Sequence, residues 1–487
     1  MLCWPATEAA RRLRVSYPII QGPFGGGPST VELVAAVSNA GGLGSFGAYG
    51  LSAEQIEEVT GEIAQSTPAS FAVNLWVGTH DIPESEMSSE QFEEAVARLQ
   101  PLYEKFGVRA PQYPERFAPS FDEQVEALLR ARPPVASFVF GIPEQPVLQA
   151  CREAGIVTIA TASSVEEAVA IDQVGADLIV ASGMEAGGHR VSFLHDAESA
   201  LTGSMALIPL IADNVRAPVI AAGGIADARG VLAALHLGAQ GVQIGTAFLV
   251  TDESGAADEH KSELLDARAT QLTRAFTGRL ARGVPNTLMR AVESGAAILP
   301  FPYQGYLLGP LLARAQAEGD PELSKLWGGQ AAGLARRRSA GDLVESLIRD
   351  VSDALPAGDE HQQLSASALA RWTNEGGALG SPSDYWSVCD DIPKQQLQLR
   401  ARGRLAGSLS YQLRGRLLAL EHTNVFPEFQ GQGAARRLAE SAMERAERDE
   451  LMVLPLCRYT SRYIAEHPEH LLRVPAELRV EFDLPPC

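Results

Sequence analysis

A histidine follows two glycines at the end of an apolar run, in the segment ASGMEAGGHR at residues 181–190. An imidazole titrates near neutral pH, so His189 has the chemistry of a general acid or base. The alternative is a hydrogen-bonded structural histidine that closes a tight turn. Because Gly187 and Gly188 would leave room for a flat ligand, the pattern favours a catalytic His189.

Similar glycine-rich turns end several other apolar runs, in QGPFGGG, AAGGIAD and QIGTAF. A glycine lets the backbone approach a ligand closely. Gly223–Gly224 and Gly245–Thr246 end the seventh and eighth apolar runs, where a (β/α)8 barrel usually binds phosphate. Each pair alone is more typical of a tight turn, but their matched positions predict a phosphate site.

The elements that must position these turns are strand-length runs that are apolar on both faces, as strands of a covered parallel sheet are. Amphipathic segments such as SVEEAVAIDQVG lie between several of them and end on a glycine suited to a helix C-cap. About eight units predict an α/β fold and favour a closed TIM barrel over an open sheet. The runs begin at Tyr17, Gly41, Phe71, Val135, Ile156, Asp177, Pro218 and Gly241.

Composition restricts the possible partners. The 487 residues include 60 acidic and 40 basic side chains, for a net charge of −20, which argues against a nucleic-acid or anionic-membrane partner. The N-terminus lacks a secretory signal and no run has the length of a membrane span. The cysteines are scattered and odd in number, so we expect neither disulfides nor a metal site, and a cytoplasmic location. They are Cys3, Cys151, Cys389, Cys457 and Cys487.

Over about residues 7–345 the chain resembles the nitronate monooxygenases, formerly 2-nitropropane dioxygenases, which are FMN-dependent TIM barrels. The motifs YPIIQGPFGGG, NAGGLGSFG, FAVNLW, EAGGHR, PVIAAGGIAD, GVQIGTAFL and FTGRLARGVPN carry the resemblance in family order. It implies oxidation of alkyl nitronates by molecular oxygen, with His189 as the catalytic residue. The FMN-binding residues that it implies are Gly22, Pro23, Phe24, Asn74, Ser182, Gly187, Gly223, Gly224, Gln243, Ile244, Gly245 and Thr246.

Some positions depart from the family pattern. Ser182 replaces a glutamine that many relatives carry, Val139 a second histidine, and Val191 a common glycine. Tyr303 and Tyr306 lie in FPYQGYLLGPL, which resembles the family's substrate-side segment, although most aromatic residues at such spacing are core. Residues 327–330 also match the family, and their glycines are expected to serve packing or to line the site.

The character of the chain changes after residue 350. Residues 351–395 are polar and rich in turn residues, which predicts a linker, with a short helix near 367–372. Beyond it, a predicted hairpin turns at Gly415, LMVLPLC is typical of a strand, and QGQGAA precedes a helical pattern. Residues 1–350 and 396–487 are therefore predicted to form two domains.

Residues 396–475 resemble the small α+β GNAT-type N-acetyltransferases. A glycine-rich turn before a helix presents N–H groups to a pyrophosphate. The resemblance implies acetyl-CoA binding at Gly431, Gln432, Gly433 and Ala434. His422 and Cys457 are candidate catalytic groups, with an inert core cysteine as the alternative for Cys457.

Three alternatives remain open from the sequence. The barrel could be an NAD(P)H-dependent FMN enoyl-thioester reductase, which shares the histidine and the FMN loops. It could also be a non-redox phosphate-binding barrel. A C-terminal domain this short could bind acyl-CoA without transferring the acyl group.

Overall fold

The computed structural model describes residues 4–78, 87–114, 119–295, 298–355, 386–391, 394–401, 404–482 and 484–485. The chain divides into two compact units, one that comprises residues 7–355 and one that contains residues 356–487. Within the described ranges, no helix combines the length and the apolar character needed to cross a bilayer.

Eight parallel strands in the first unit form one sheet in the order β1-β9-β8-β6-β5-β4-β3-β2. A parallel bridge between Ile20 and Leu43 joins its two edges, so the sheet is a nearly closed barrel. All eight predicted runs are barrel strands, which confirms the predicted TIM-type fold. The first nine strands are β1 (Ile19–Gln21), β2 (Gly44–Gly47), β3 (Phe71–Trp76), β4 (Val135–Val139), β5 (Val157–Ala162), β6 (Leu178–Ser182), β7 (Gly188–His189), β8 (Val219–Ala222) and β9 (Gly241–Ile244).

Helices cover the outside of the barrel because the strands are apolar on both faces. In the segment SVEEAVAIDQVG, Ser164 caps the helix at the N–H of Glu167, and Gly175 ends it at φ 84°. The α-helices of this unit are Glu8–Leu13, Val31–Asn39, Ala53–Ser66, Ser89–Lys105, Phe121–Ala131, Gln145–Glu153, Val165–Val174, Ser204–Ala212, Ala228–His236, Thr246–Leu249, Asp258–Asp266, Thr287–Gly295, Tyr303–Glu318 and Ala340–Ala354. A 3-10 helix spans Ala332–Leu334.

A small antiparallel sheet of order β10-β11-β7 is separate from the barrel sheet, with β10 at Gln271–Thr273 and β11 at Ala281–Gly283. In it, His189 pairs with Ala281. His189 therefore does not end the barrel strand β6, which stops at Ser182. It is positioned by a segment that lies far along the chain.

The second unit contains a five-stranded sheet covered by helices. Its strands are antiparallel except for β15 and β16, which pair in parallel. The predicted hairpin is β14 and β15, and its turn contains Gly415 at φ 61°. The strands are β12 (Trp386–Asp391), β13 (Gln396–Ala401), β14 (Arg404–Arg414), β15 (Leu417–Val425) and β16 (Met452–Leu454). The α-helices are Ala434–Arg448 and Arg458–Glu466, and 3-10 helices span Pro427–Phe429, Pro468–Arg473 and Ala476–Phe482.

The edge strand β12 lies inside the segment for which the sequence predicts a linker. Asp390 on this strand accepts a hydrogen bond from the Tyr411 hydroxyl at 2.6 Å. It also forms an ion pair with Arg445 at 2.5 Å. These partners come from another strand and a helix, so the local sequence does not reveal them. The predicted short helix near 367–372 lies outside the described residues.

Candidate functional site

A cavity of about 410 Å³ lies at the carboxyl ends of the barrel strands, the position at which this fold holds its active sites. His189 lines it. Ile244 does not line it, because its side chain is fully buried on the other face of β9 from Gln243. The remaining FMN-binding residues that the sequence predicts in the barrel all line the cavity: Gly22, Pro23, Phe24, Asn74, Ser182, Gly187, Gly223, Gly224, Gln243, Gly245 and Thr246.

Two glycine turns form one end of this cavity. Gly223 and Gly224 follow β8 at φ 104° and 74°, a backbone region that side chains disfavour. Gly245 precedes the short helix that begins at Thr246, so the N–H groups of this helix start have no acceptor inside the helix. The Thr246 hydroxyl accepts a hydrogen bond from the N–H of Gly329 at 2.9 Å. This end of the cavity thus offers backbone donors to an anion.

The two glycines before His189 have different roles. A side chain on Gly187 would lie 2.5 Å from the nitrogen of Gly329 and 2.6 Å from the carbonyl carbon of Gly328. Nothing lies within 4 Å of a side chain built on Gly188, whose φ is 73°. Gly187 therefore makes room for another chain segment. Both glycines line the cavity, but only the Cβ direction of Gly188 is open.

His189 is held by one hydrogen bond and several rings. Its Nε2 lies 2.9 Å from the Thr277 hydroxyl. The ring centroids of Trp76 and Trp327 lie 5.2 Å and 5.5 Å from that of the imidazole, with Trp76 in edge-on geometry. Phe140 adds a third aromatic neighbour at 5.9 Å. The imidazole is fixed in an apolar wall of the cavity.

The apolar wall lowers the pKa of His189 below the near-neutral value that the sequence suggests. Burial, followed by the positive charge of Lys325, lowers the pKa of His189 to about 3. The protonated form is disfavoured because an apolar wall cannot solvate it and a cation lies nearby. His189 is therefore neutral at physiological pH. Its pKa lies well below the near-neutral pKa of an isolated imidazole.

An aromatic and cationic cluster lies next to the histidine, and the sequence does not indicate it. Tyr49 stacks on Trp76 with a centroid separation of 3.9 Å. The Arg279 guanidinium lies 3.9 Å from the Phe140 ring centroid and 4.2 Å from that of Phe301. Burial lowers the pKa of Arg279 to about 10. These side chains come from separate loops, so no spacing along the chain indicates that they meet.

Of the substrate-side residues that the sequence selects, some line the cavity and others do not. Tyr306 lines the cavity, whereas Tyr303 is buried in the core. Trp327 also lines the cavity, and its carbonyl accepts a hydrogen bond from His260 Nε2 at 2.9 Å. Gln330 does not line the cavity, and its N–H donates to the Glu185 carbonyl.

Gly328 and Gly329, in contrast, belong to the wall. They also pack against Gly187, so both roles that the sequence allows for this segment occur together. Val139 and Val191, two of the departures from the family pattern, line the cavity as well. At those positions the wall is apolar.

The C-terminal glycine turn is much more open than the turns of the barrel. Gly431 and Gly433 have φ values of 77° and 80°, and nothing lies within 4 Å of a side chain built on either. The side chain of Gln432 donates to the Glu428 carbonyl at 2.9 Å, which braces the turn. Ala434 begins the helix, so the first N–H groups of this helix have no acceptor inside it.

Cys457 lies at the point where β15 and β16 part. The N–H of Cys457 donates to the Leu420 carbonyl, and its thiol lies 3.3 Å from the Thr423 hydroxyl. Burial alone would raise the pKa of the Cys457 thiol. The hydrogen bonds from Thr423 and from the N–H groups of Thr460 and Tyr459 outweigh it, so the pKa is lowered. The thiol is more easily ionised than an inert core cysteine.

The other catalytic candidate of this domain does not join Cys457. Side chains alternate between the two faces of a strand, so His422 and Thr423 on β15 face opposite sides. Since Thr423 contacts Cys457, His422 faces away from the thiol. The structure therefore separates the two candidates.

Comparison with known proteins gives matches over both units. The family model described as nitronate monooxygenase matches residues 8–350. A probable nitronate monooxygenase of Staphylococcus aureus strain MSSA476 is 37% identical over 356 residues, which cover 72% of this chain and 99% of that protein. A second, from Staphylococcus saprophyticus, is also 37% identical, over 355 residues with the same coverage. The family model described as GCN5-related N-acetyl-transferase matches residues 396–473.

Solved structures of other proteins are also similar to the barrel. Nitroalkane oxidase from Streptomyces ansochromogenes is 34% identical with a TM-score of 0.64, and the match covers 71% of this chain and 98% of that one. FabK from Thermotoga maritima is 27% identical with a TM-score of 0.56, over 75% of this chain and 99% of that one.

Proposed function

The chain belongs to the nitronate monooxygenase family, and on that basis we propose that its barrel binds FMN and oxidises alkyl nitronates with molecular oxygen. The observation that carries this proposal is that the glycine turns after β8 and β9 and the neutral His189 line one cavity. The glycine turns supply an anion site, and His189 supplies a proton acceptor.

The residues of the cavity fit FMN. Gly223, Gly224, Gly245 and Thr246 would hold the phosphate, because their turns bring backbone N–H groups together without side chains. Asn74 donates its amide N–H to the Ser137 hydroxyl at 2.9 Å, which orients its side chain at the wall. The cavity volume of about 410 Å³ is in the range of small-molecule sites. When bound, FMN supplies the redox chemistry that carries electrons from the nitronate to oxygen.

His189 has two possible tasks, depending on the substrate form. A neutral nitroalkane must lose its α-proton, and a neutral imidazole can accept it. The Thr277 hydroxyl can donate its hydrogen to the Arg279 carbonyl, 3.4 Å away. The oxygen of Thr277 then accepts a hydrogen bond from the Nε2–H of His189. That tautomer leaves the lone pair of the base on Nδ1.

The low pKa of His189 makes it a weak base before substrate binds. Proton transfer, however, creates a nitronate anion beside the imidazolium, and an opposite charge at that distance raises the pKa of a histidine. The negative charge of the forming nitronate thus offsets the effect of burial. A substrate that arrives as the anion needs no proton transfer, so His189 then only orients it.

We also propose that the C-terminal domain binds acetyl-CoA at the turn formed by Gly431, Gln432, Gly433 and Ala434. The openness of this turn supports the proposal, since a pyrophosphate can approach its N–H groups without displacing side chains. The activated thiol of Cys457, at the parting of β15 and β16, is the group that would lie near the acetyl end. Transfer of the acetyl group to an acceptor is tested separately from binding.

Two measurements test the barrel proposal. The purified protein should show a flavin spectrum, and heat should release FMN because the proposed binding is non-covalent. With a pre-formed alkyl nitronate it should consume oxygen without reduced nicotinamide. A colourless protein with no affinity for added FMN would contradict the proposal. Nicotinamide oxidation with an enoyl thioester, without nitronate oxidation, would favour the reductase alternative.

A further inference from the structure

Lys325 is a charged side chain at the cavity wall. Among the residues that the structure describes, it makes no hydrogen bond and no ion pair. The three other lysines have a neighbour for their charge. Lys261 donates to the Thr251 and Ser254 carbonyls at 2.8 Å, Lys394 pairs with Asp391 at 3.2 Å, and Lys105 lies 5.1 Å from the Phe106 ring centroid.

Lys325 lies where an anion can reach it. Its side chain is exposed to solvent by surface area, and it also lines the cavity. Neighbouring protein atoms desolvate its ammonium group in part, which lowers the pKa of Lys325. A cation that is partly removed from water and has no counter-charge is stabilised by an anion that enters the cavity.

Among the described residues, the one carboxylate of the cavity wall forms no ion pair with Lys325. Glu185 is the one acidic residue that lines the cavity among the residues that the structure describes. Its two carboxylate oxygens accept hydrogen bonds from the N–H and the hydroxyl of Ser204, at 2.9 to 3.0 Å. Arg279, the other cation of this region, is held between the rings of Phe140 and Phe301 and does not line the cavity.

Lys325 also acts on the histidine. Its charge is one of the two causes that keep His189 neutral, so the two groups are close enough to interact electrostatically across the same cavity. An anion bound by Lys325 therefore lies in the same cavity as the imidazole. A planar, singly charged nitronate, with its charge on the nitro oxygens, matches this pair of groups.

We propose that Lys325 is a substrate-binding residue that holds the charged nitro oxygens of the nitronate and makes the cavity selective for the anion over the neutral nitroalkane. This inference rests on the proposed function. The step is non-covalent, and the nitronate replaces the missing counter-charge of the ammonium group. A neutral nitroalkane lacks that charge until its α-proton has been transferred.

Lys325→Met and Lys325→Gln remove the charge, Lys325→Arg keeps it, and Lys105→Met removes a lysine of the same unit outside the cavity. Oxygen consumption gives KM and kcat for a pre-formed nitronate in the FMN-loaded enzyme. Calorimetry measures the binding of nitrate, a planar oxyanion that cannot react. A charge-assisted hydrogen bond lost equally from the ground and transition states raises KM by about 10- to 100-fold with little change in kcat.

We expect nitrate affinity to fall together with the rise in KM in Lys325→Met and Lys325→Gln. Lys325→Arg should have a KM and a nitrate affinity close to those of the wild type, and Lys105→Met should match the wild type in both quantities. In the wild type, nitrate affinity should decline as pH rises through the pKa of Lys325, which lies below the ordinary lysine value, whereas Lys325→Met should show no such decline. A merely structural lysine would not produce this pH dependence.

Unchanged KM and nitrate affinity in both charge-removing variants, with FMN content retained, would overturn the assignment. So would a selective loss of affinity for NADPH, because the bound anion would then be a cofactor phosphate. A wild type that is inert on nitronates but binds nitrate through Lys325 would contradict the proposed function and support the anion site. The two failures are therefore distinguishable.

Discussion

The glycine turns of the two units differ in what surrounds them. In the barrel, a side chain on Gly187 would run into the backbone of Gly328 and Gly329, and one on Gly22 would lie 3.3 Å from the Cα of Gly245. In the C-terminal domain, nothing lies within 4 Å of a Cβ built on Gly431 or Gly433. Close packing thus requires glycine at these positions of the barrel. In the C-terminal turn, the backbone conformation alone favours glycine.

The candidate nucleophile and base differ in the same way. In the barrel, apolar walls and a nearby cation lower the pKa of His189, which keeps the group uncharged. In the C-terminal domain, hydrogen bonds lower the pKa of Cys457 and favour its charged form. A lowered pKa therefore has opposite consequences for an imidazole and a thiol. The first site suits a substrate that brings its own charge, and the second suits a nucleophile.

The largest expected effect tests whether the enclosed site transfers protons. His189→Asn should lose oxidation of a neutral nitroalkane by roughly 10²–10⁴-fold, the usual contribution of a general base. The same variant should keep much of its activity on the pre-formed nitronate, which has no proton to lose. Oxygen consumption by FMN-saturated protein on both forms gives the ratio. Equal losses on both forms with FMN still bound would contradict the general-base role, and a wild type inert on the neutral form would leave His189 with positioning alone.

A second variant tests the open turn. Gly433→Asp should weaken acetyl-CoA binding by up to about 30-fold, because its carboxylate would face the pyrophosphate and remove a favourable helix-terminus interaction of up to about 2 kcal/mol. Gly433→Ala adds a small uncharged group where nothing lies within 4 Å, so it should bind more tightly than Gly433→Asp. Calorimetry on the full chain measures both. Equal affinity in wild type and Gly433→Asp would remove the turn from the CoA site.

A third variant tests the crowded turn. Gly224→Val places a β-branched residue at φ 74°, with its Cβ 3.4 Å from that of Glu185. The strain is about 1–3 kcal/mol, which corresponds to about a 5- to 150-fold loss of FMN affinity if the turn must hold its shape to bind phosphate. Gly50→Val is the matched control, since Gly50 has φ 84° and does not line the cavity. Full flavin content in Gly224→Val would refute the phosphate placement.

The smallest expected effect concerns pH and stability. The pKa of His189 is about 3 in the folded chain, against about 6.5 in an unfolded one. Between these values the unfolded chain binds more protons, so stability falls as pH drops from 6.5 towards 3. With an allowance for the partial exposure of His189, the free energy of unfolding should fall by about 1 kcal/mol more in the wild type than in His189→Asn between pH 7.5 and 5. Parallel losses in denaturant titrations of the two proteins would show that the imidazole is not held neutral.

Much of the fold follows from the sequence alone. The strands of a covered parallel sheet must be apolar on both faces, so every barrel strand is visible as a short apolar run. The turn at Gly415 and the helix after Gly433 also follow from local pattern, because backbone conformation there depends on glycine itself. The edge strand β12 is missed, since the partners of Asp390 are Tyr411 and Arg445 rather than its sequence neighbours.

The sequence by itself likewise selects the residues that follow the strands, including His189 and the glycine pairs, since the carboxyl ends of parallel strands meet at one edge of the barrel. Only the tertiary structure decides how they behave. His189 contacts Thr277, 88 residues away, and Lys325 helps to set its pKa. Gly187 is required by the backbone of Gly328 and Gly329. Local pattern reports the conformation of one segment, whereas burial, charge and close packing at the site depend on segments that meet only in the folded chain.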